Sequence, residues 1–472
     1  MGTILIKEAS AIITGSRDQR VFYDADLLIE GPMVKKIGRN LSRELRFGTY
    51  EIVDGHGMYV YPGLVNTHHH FFQAFVRNNP WLDWTSMNVL EWIETIYPFF
   101  CGFTADAIFY TALISMAELV RHGCTTAFDH QYCYPAGAGL NLIDRQMEAA
   151  GLVGMRFHAG RGANTLSREE GSPLPEALIE DTDTFLSDCD RLISAYHDPG
   201  RFSMKQIVPA PCQPVNCTRE TFEETVKFAR SRGVRMHTHL GEGEDAAMQE
   251  RYGMRTLEWC RRIGFIGSDV WYAHGWDLRE EEINIMAETG TGLAHCPAPI
   301  LLGGFRVPDI PRMFSKGVPL GIGCDGQASN DNSNLLESLR MGYLLQCHTA
   351  GLRDFPVPDP ADFLYMASAG GARLLGRNDL GVLAPGMAAD MFLIDVDRLD
   401  YVGTMHDPAS LPVKVGIHQP AAMTIINGEI VFRDGEFLKF DEASMLRQAQ
   451  DCCMEVMYRN PAYAEQIVRR LK

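Results

Sequence analysis

Short apolar strands alternate with amphipathic helices through most of the chain, and this alternation restricts the possible fold more than any other feature. Eight segments have the length and composition of buried strands, and they lie near residues 58–65, 124–129, 153–159, 206–211, 234–240, 270–274, 291–295 and 318–325. Helical stretches lie between them, such as Ala105–Arg121 and Arg219–Arg230, and Thr218 suits the N-cap of the second. The pattern predicts an α/β fold of the (β/α)8, TIM-like barrel type.

A doubly wound open sheet is the alternative fold for such a pattern. Sheets of that kind that bind dinucleotides carry a glycine-rich turn directly after the first strand. After the first predicted strand this chain has three consecutive histidines instead, His68 to His70. The barrel is therefore the better prediction.

The two ends of the chain have a different pattern, with short strands and turns in place of strand–helix alternation. Apolar runs and the turn Gly31-Pro32 fill the first residues, and Asn427-Gly428 is typical of a tight hairpin late in the chain. We predict a small β-sandwich domain built from residues 1–57 and 379–440. The barrel would then span 58–378, and a C-terminal helical segment would span 441–472.

Composition limits the partners and the location. The formal net charge of −17 argues against a nucleic-acid surface, because phosphate binding needs a basic footprint. Twelve cysteines without a C-x-x-C pair indicate reduced thiols in a cytoplasmic protein. No signal peptide or membrane span is visible, so no membrane partner is expected. A homo-oligomer, a dimer or larger, is the usual state for such a protein.

The first predicted strand ends in the run His68-His69-His70. In an extended chain alternate side chains point the same way, so His68 and His70 share one side while His69 points elsewhere. Two imidazoles at the carboxyl end of a strand suit one half of a zinc-type site. A histidine cluster in a surface loop is the alternative interpretation.

Other predicted strands also end in imidazole or carboxylate side chains, where the active-site loops of a barrel begin. These are His239 with Glu242 after the fifth strand, His274 after the sixth, His295 after the seventh and Asp325 after the eighth. Taken singly, each histidine also fits a hydrogen-bonded core residue, and Asp325 fits a turn. His237 shares the side of His239, as a competing ligand or as packing one layer below. The coincidence over separate strands predicts a metal site.

The residue types favour a single catalytic metal. Three imidazoles and one carboxylate leave an open position on a zinc-like ion. A bridged second metal would need a lysine at the end of the fourth strand, but that strand ends in Pro209–Gln213 and Lys205 lies at its opposite end. We expect one divalent metal per chain, zinc by preference, with iron or manganese left open by the ligands.

The residues around this metal have the proton chemistry of a hydrolase. A bound metal lowers the pKa of water to about 7, so we expect a metal-bound hydroxide oriented by Asp325. Glu242 is placed to protonate a ring nitrogen of the substrate and then the departing amine. His274 is placed to hydrogen-bond the hydroxide or the developing charge. Glu242 also fits a solvated acid in a charged run, but its offset of three residues from His239 favours catalysis.

The same residues lie in motifs that resemble the amidohydrolase superfamily, and more narrowly its single-metal branch related to nucleobase deaminases. The similar segments are Pro62–His70, His237–Glu242, His274, Asp325–Asp331 and Gly381–Asp390. The resemblance extends over nearly the whole chain, including the terminal β-domain. It implies that the metal ligands are His68, His70, His239 and Asp325, and that the catalytic residues are Glu242, His274 and Asp325.

The resemblance also suggests substrate contacts. Gln73 and Arg161 have a carboxamide and a guanidinium that can read the carbonyl and ring nitrogens of an oxo-heterocycle. Arg161 fits equally well as the partner of an acid at the barrel mouth. Trp81, Trp84 and Trp92 are either an apolar lid for an N-alkyl group or, more commonly for aromatic clusters, core packing.

The expected reaction follows from further similar segments, which are His69–Asn78, His122–Tyr132 and Arg156–Gly162. The resemblance implies an aminohydrolase that removes an amine or alkylamine from a hydroxylated s-triazine. Deamination of an oxopurine or pterin is the alternative, although purine-type members tend to carry Ser-Asn where this chain has Ala298–Ile300. A non-catalytic metabolite-binding barrel is disfavoured by the presence of Glu242 and Asp325. A two-metal ring-opening hydrolase is disfavoured by the missing lysine.

Overall fold

The structure is a computed structural model that describes residues 2–18, 20–46, 48–80, 82, 84–461 and 463–464. The strands are β1 (Thr3–Ile13), β2 (Val21–Glu30), β3 (Met33–Gly38), β4 (Glu51–Asp54), β5 (Met58–Pro62), β6 (Leu64–Asn66), β7 (Cys124–Gln131), β8 (Arg156–Ala163), β9 (Lys205–Pro211), β10 (Met236–Leu240), β11 (Val270–His274), β12 (Gly292–His295), β13 (Leu320–Ile322), β14 (Met391–Asp395), β15 (Met423–Ile426), β16 (Glu429–Arg433) and β17 (Glu436–Phe437).

The α-helices occupy the connections between barrel strands and the C-terminal region. They are α1 (Val89–Phe100), α2 (Ala105–Arg121), α3 (Leu142–Val153), α4 (Thr182–Tyr196), α5 (Arg219–Arg232), α6 (Asp245–Tyr252), α7 (Thr256–Ile263), α8 (Glu280–Thr289), α9 (Pro297–Gly303), α10 (Ile310–Ser315), α11 (Leu335–His348), α12 (Pro360–Tyr365), α13 (Gly371–Leu374), α14 (Leu411–Lys414) and α15 (Glu442–Arg459). As predicted, Thr218 caps α5, and its hydroxyl accepts the backbone N–H of Thr221 at 3.2 Å.

Eight parallel strands form the barrel sheet, in the order β10-β11-β12-β13-β6-β7-β8-β9. The two outer strands of this order meet at Cys212, whose carbonyl accepts the backbone N–H of His239 at 3.2 Å and the hydroxyl of Thr238 at 3.0 Å. Inside the barrel, Phe128 and Trp271 pack with small aliphatic residues and fill the floor. The predicted TIM-like barrel is confirmed, and its strands end on one shared face.

The strands of the two chain ends form one mixed nine-stranded sheet, with β1 between β2 and β5 and with β4 also paired to β1. The predicted small domain from both termini is thus confirmed, and its strands are hydrogen-bonded into a single sheet. Asn427 and Gly428 have φ of 53° and 76° and join β15 to β16. These positive φ values are those of the tight hairpin turn that the dipeptide predicts.

The predicted first barrel strand, 58–65, is two strands that belong to different sheets. β5 pairs with β1 and β14 in the terminal sheet, whereas β6 pairs with β7 and β13 in the barrel. Gly63 separates them, and a β-carbon there would collide with the side chain of Thr125. The chain therefore passes from the terminal sheet into the barrel sheet at Gly63. The predicted domain boundaries stay predictions, and residues 462 and 465–472 of the C-terminal segment lie outside the described residues.

The sequence also predicts reduced cysteines and no membrane-spanning helix. All twelve cysteines are unpaired, and eight of them are buried. Within the described part of the chain, no single helix is long and apolar enough to cross a membrane. By length and composition alone, α1 and α2 would pass that test as a pair, with a bend of 118° between them.

Candidate active site

The structure brings six of the predicted site residues together at the carboxyl ends of the barrel strands. They are His68, His70, His239, Glu242, His274 and Asp325, and their ligand atoms form overlapping groups of three in which all atoms lie within 4.8 Å of one another. Five of the six are buried, and the side chain of Glu242 is 14% exposed. The roles expected for these residues remain predictions, but the grouping itself follows from the barrel.

Backbone carbonyls fix the tautomers of His70 and His239. The Nδ1 of His239 lies 2.7 Å from the carbonyl oxygen of Cys212, and the Nδ1 of His70 lies 3.1 Å from that of His130. A carbonyl only accepts, so both Nδ1 atoms carry the hydrogen and both Nε2 atoms carry a lone pair. These two lone-pair nitrogens are 3.0 Å apart. Such an approach is repulsive unless a cation lies beside them.

A similar chain of hydrogen bonds orients His68. The Nδ1 of His237 donates to the carbonyl of Trp271 at 2.9 Å, so its Nε2 accepts from the Nδ1 of His68, also at 2.9 Å. The Nε2 of His68 then carries a lone pair, and it is buried with no hydrogen-bond partner among the described residues. His237 therefore supports His68 from one layer below, which favours the packing interpretation of His237.

The set fits a single divalent cation. Asp325 Oδ1 lies 3.3 Å from His70 Nε2 and 3.6 Å from His68 Nε2. Burial lowers the pKa of His68 and His239 well below the usual value, which keeps these imidazoles neutral. Burial alone would raise the pKa of Asp325, but its contacts with His68 and His70 hold that pKa well below its usual range. Neutral imidazoles and an ionised carboxylate are the protonation states of metal ligands.

Glu242 lies beside this set and is held in place from two directions. Its Oε1 is 3.4 Å from His274 Nε2, and its Oε2 accepts from the Nε2 of Gln213 at 2.6 Å. Glu244 accepts the backbone N–H groups of Gly241 and Glu242 at 2.7 and 2.6 Å, which fixes the loop. Burial, followed by the charges of Asp325 and Glu244, raises the pKa of Glu242 well above its usual value. Glu242 is thus not a solvated surface acid.

Two site residues have strained backbones. His274 has φ of 79° and Asp325 has φ of 66°, in the left-handed region that residues other than glycine seldom adopt. His274 is fully buried, and burial lowers its pKa to about 4. Strain of this kind collects at functional sites, where the surrounding structure imposes it.

Four of the six residues, His70, His239, Glu242 and Asp325, line a partly open cavity of about 20 Å³, roughly the space of one water molecule. Its lining includes Gln73, Trp84, Trp92, Gln213 and Glu242. A wider outer cavity of about 490 Å³ adjoins it and shares Gln213 and Glu242 with it. The two cavities thus lie side by side at the site.

Gln73 lines the inner cavity, and its expected substrate contact stays a prediction. It is fully buried in the wall of the inner cavity, and its Oε1 accepts the backbone N–H of Ala328 at 3.0 Å. Its Nε2 has no hydrogen-bond partner among the described residues, so a donor is left for a ligand. Trp84 stacks on Trp92 with a centroid distance of 5.0 Å and forms an apolar wall. Trp81 lies outside the described residues.

The structure does not support a substrate contact for Arg161. Its Nε donates to Asp188 at 2.9 Å, and its two terminal nitrogens donate to Glu180 at 2.5 and 2.8 Å. The guanidinium also lies 3.6 Å from the ring centroid of Tyr134. On β8 it is Gly162 that faces the barrel interior, toward His130, so Arg161 points outward to the helices. The alternative interpretation, a pairing with acids, is the one that the structure favours.

Replacing Arg161 with methionine is expected to lower the free energy of unfolding by about 3–5 kcal/mol. The physical reason is that the buried Asp188 would keep only Arg191 as a cationic partner, and the half-buried Glu180 would lose its ion pair. KM should change little, because the side chain does not line the cavity. Denaturant unfolding and steady-state kinetics check this. A large rise in KM at unchanged stability would restore the substrate role.

His69 and His295, which the sequence pattern also brings to attention, do not line the cavity. His69 Nε2 is 2.8 Å from the hydroxyl of Ser333, and its Nδ1 accepts the backbone N–H of His70 at 2.8 Å, so it braces the loop. His295 is buried beneath Gly342 of α11, on the helix side of β12. Gln213 was not predicted from the sequence, although it lies two residues beyond the end of β9, the fourth strand predicted for the barrel.

The chain belongs to the amidohydrolase family, whose family model matches residues 59–431. The fold and the site agree with that membership, and the resemblance read from the sequence motifs is confirmed. Within the family the chain is 51% identical over 470 residues to the hydroxydechloroatrazine ethylaminohydrolase of Pseudomonas sp. strain ADP, and 98% of each chain is covered.

Other relatives act on other heterocycles. The chain is 38% identical over 354 residues to the 8-oxoguanine deaminase of Pseudomonas aeruginosa, which covers 74% of this chain and 77% of that one. Among solved structures, atrazine chlorohydrolase of Arthrobacter aurescens TC1 complexed with zinc superimposes with a TM-score of 0.89. It is 32% identical and covers 95% of this chain and 100% of its own. Triazine and purine enzymes thus share this architecture.

Proposed function

We propose that the protein is a zinc-dependent aminohydrolase that removes an amine or alkylamine from a hydroxylated s-triazine. The observation that carries the proposal is the buried set of lone-pair imidazoles and one carboxylate beside Glu242, in a chain 51% identical to a hydroxydechloroatrazine ethylaminohydrolase. The zinc in the solved triazine enzyme supports zinc over iron. Ligand chemistry agrees, because imidazole and carboxylate suit zinc.

Each site residue has its own role in the proposed reaction. His68, His70, His239 and Asp325 hold the metal, which supplies Lewis acidity and lowers the pKa of water. Glu242 takes a proton from the attacking water on Oε1 and delivers it to the leaving nitrogen. A carbon–oxygen bond forms, the carbon–nitrogen bond breaks, and a neutral amine departs. His274, within 3.4 Å of Glu242, hydrogen-bonds the oxygen that develops charge.

The cavity wall supports an oxygenated ring as substrate. The free Nε2 of Gln73 is a donor that suits a ring oxygen or nitrogen of the heterocycle. Trp84 and Trp92 present an apolar surface that suits an N-alkyl substituent. From the sequence, the tryptophans could form either a lid over the substrate or part of the core. The position of Trp84 and Trp92 in the cavity wall favours the lid.

Deamination of an oxopurine or pterin is the second candidate. The 8-oxoguanine deaminase relative supports it, as does an isoxanthopterin deaminase that is 34% identical over 445 residues and covers 90% of each chain. The metal set and Glu242 would serve either ring. The higher identity to the triazine enzyme places this candidate second.

We also infer a cytoplasmic homo-oligomer, a dimer or larger, that takes a small-molecule heterocycle as its partner. The unpaired cysteines support a reducing compartment. The acidic net charge of −17 disfavours a nucleic-acid partner, and no membrane partner is proposed.

A substrate screen tests the function. The zinc-loaded protein is incubated with hydroxytriazines, aminopurines and pterins, and the release of ammonia or alkylamine is measured. We expect the highest kcat/KM with an alkylamino-hydroxytriazine. A preference for oxopurines or pterins would move the function to the second candidate. Absence of amine release from every class would overturn both.

A further inference from the structure

Gln213 contacts the acid–base residue Glu242 and lines the inner cavity. It lies two residues beyond the end of β9, its backbone carbonyl accepts the N–H of Asn216 at 3.0 Å, and the residue is 4% exposed. The residue before it, Cys212, holds His239. Two consecutive residues of this loop therefore support the metal set and Glu242.

The two ends of the Gln213 amide face different partners. The Nε2 donates to Glu242 Oε2 at 2.6 Å, which leaves Glu242 Oε1 on the side of His274. This contact fixes the orientation of the amide, so that its oxygen is available only as an acceptor. The Oε1 is buried and has no hydrogen-bond partner among the described residues. A buried acceptor without a donor is costly, and a ligand that brings an N–H removes the cost.

We propose that Gln213 recognises the N–H of the leaving amine through Oε1 while its Nε2 positions Glu242. This inference rests on the proposed function and sharpens its substrate class. The leaving nitrogen must come within reach of Glu242, which donates a proton to it, and Gln213 is the neighbour of Glu242 in both cavities. An –NHR group gives Oε1 a donor. An –OR group of similar size gives it a lone pair, which repels. The site therefore selects amines over ethers.

A pair of substrates isolates this contact. Two hydroxytriazines that differ only in the leaving group, ethylamino or ethoxy, are compared in the zinc-loaded wild type and in Gln213→Met. Methionine has a similar length and is unbranched, but it lacks the amide. We expect the ratio of kcat/KM for the amine to that for the ether to fall about 10- to 100-fold. The intrinsic difference between the leaving groups cancels, because both proteins are given the same pair.

A second variant separates recognition from positioning. Gln213→Glu keeps an acceptor oxygen but places a second carboxyl group beside Glu242, and the two must share a proton. The acid–base function of Glu242 is then perturbed, so kcat should fall for both substrates while the ratio is retained. Gln346→Met is the matched control, because Gln346 is a buried amide on α11 whose two polar atoms also lack partners among the described residues. Its ratio and kcat should equal those of the wild type. Zinc content and thermal unfolding are measured for every variant.

The outcomes are distinct. An equal loss for amine and ether in Gln213→Met would overturn the N–H contact and leave only the positioning of Glu242. An unchanged enzyme would overturn both roles of Gln213. If the wild type prefers aminopurines, the same ratio is measured with an amino and methoxy pair of that ring. A wild type that releases no amine from any ring would overturn the proposed function, and this inference with it.

Discussion

Glu242→Gln is expected to reduce kcat by about 10²- to 10⁴-fold, the range that a positioned acid–base group contributes. The amide has almost the same shape as the carboxyl group but cannot carry a proton from water to the leaving nitrogen. The metal content should stay the same, because the imidazoles and Asp325 are fixed by other contacts. Single-turnover kinetics and metal analysis on the same sample measure the two quantities.

Glu250→Gln provides the matched control. Glu250 is an exposed residue of α6, eight positions further along the chain, and the same change of charge there should leave kcat unaltered. A Glu242→Gln enzyme that kept wild-type turnover would eliminate Glu242 as the proton carrier. Loss of metal from that variant would instead make Glu242 a ligand, since its carboxylate also groups with His239 and His274.

The convergence of the site residues that lie at strand ends could be predicted from the sequence. His239 and His274 lie at the carboxyl ends of β10 and β11, and His68 and Asp325 lie just beyond the ends of β6 and β13. Parallel strands in a barrel end on one face. The convergence is thus a consequence of topology and needs no knowledge of side-chain packing. Gln213 also lies beyond a strand end, that of the fourth strand, so its position at this face could have been predicted in the same way. It was overlooked because only a lysine was considered as a functional residue at that strand end.

Side-chain direction could not be read from the sequence. Arg161 and Gly162 are neighbours near the end of β8, and which of them faces the cavity depends on the pleat of a strand whose start is uncertain by a residue or two. The sequence prediction began this strand at 153, whereas it begins at Arg156. β8 has polar residues on both faces, Arg156 and His158 on one and Arg161 on the other, so its sequence has no alternation that would settle the direction.

The change from one sheet to the other at Gly63 and the backbone strain at the site could not be predicted from the sequence either. Met58–Asn66 reads as one apolar run, and only the packing of Thr125 against Gly63 shows where the chain turns from one sheet into the other. Histidine and aspartate adopt a positive φ more often than most residues, but still only in a small fraction of cases, so tertiary contacts impose this conformation on His274 and Asp325.

Removal of the metal is expected to abolish activity and to destabilise the protein. At a free zinc concentration of 100 to 1,000 times Kd, binding to the folded state alone adds about 3–4 kcal/mol to the free energy of unfolding. The apo-protein also keeps the lone pairs of His70 and His239 at 3.0 Å without a cation between them. Chelator dialysis, followed by unfolding with and without added zinc, measures the difference. About one zinc per chain should restore full activity.

Asp325→Asn is the variant that makes this measurement specific. The amide is neutral, so the site loses the one negative charge that offsets the cation, and the stabilisation by zinc should shrink together with the affinity. Two ions per chain, bridged by a modified lysine, would contradict a single-metal site. The geometry argues against that outcome, since no lysine is among the described residues that line the cavity and Lys205 begins β9 at the opposite end of the barrel.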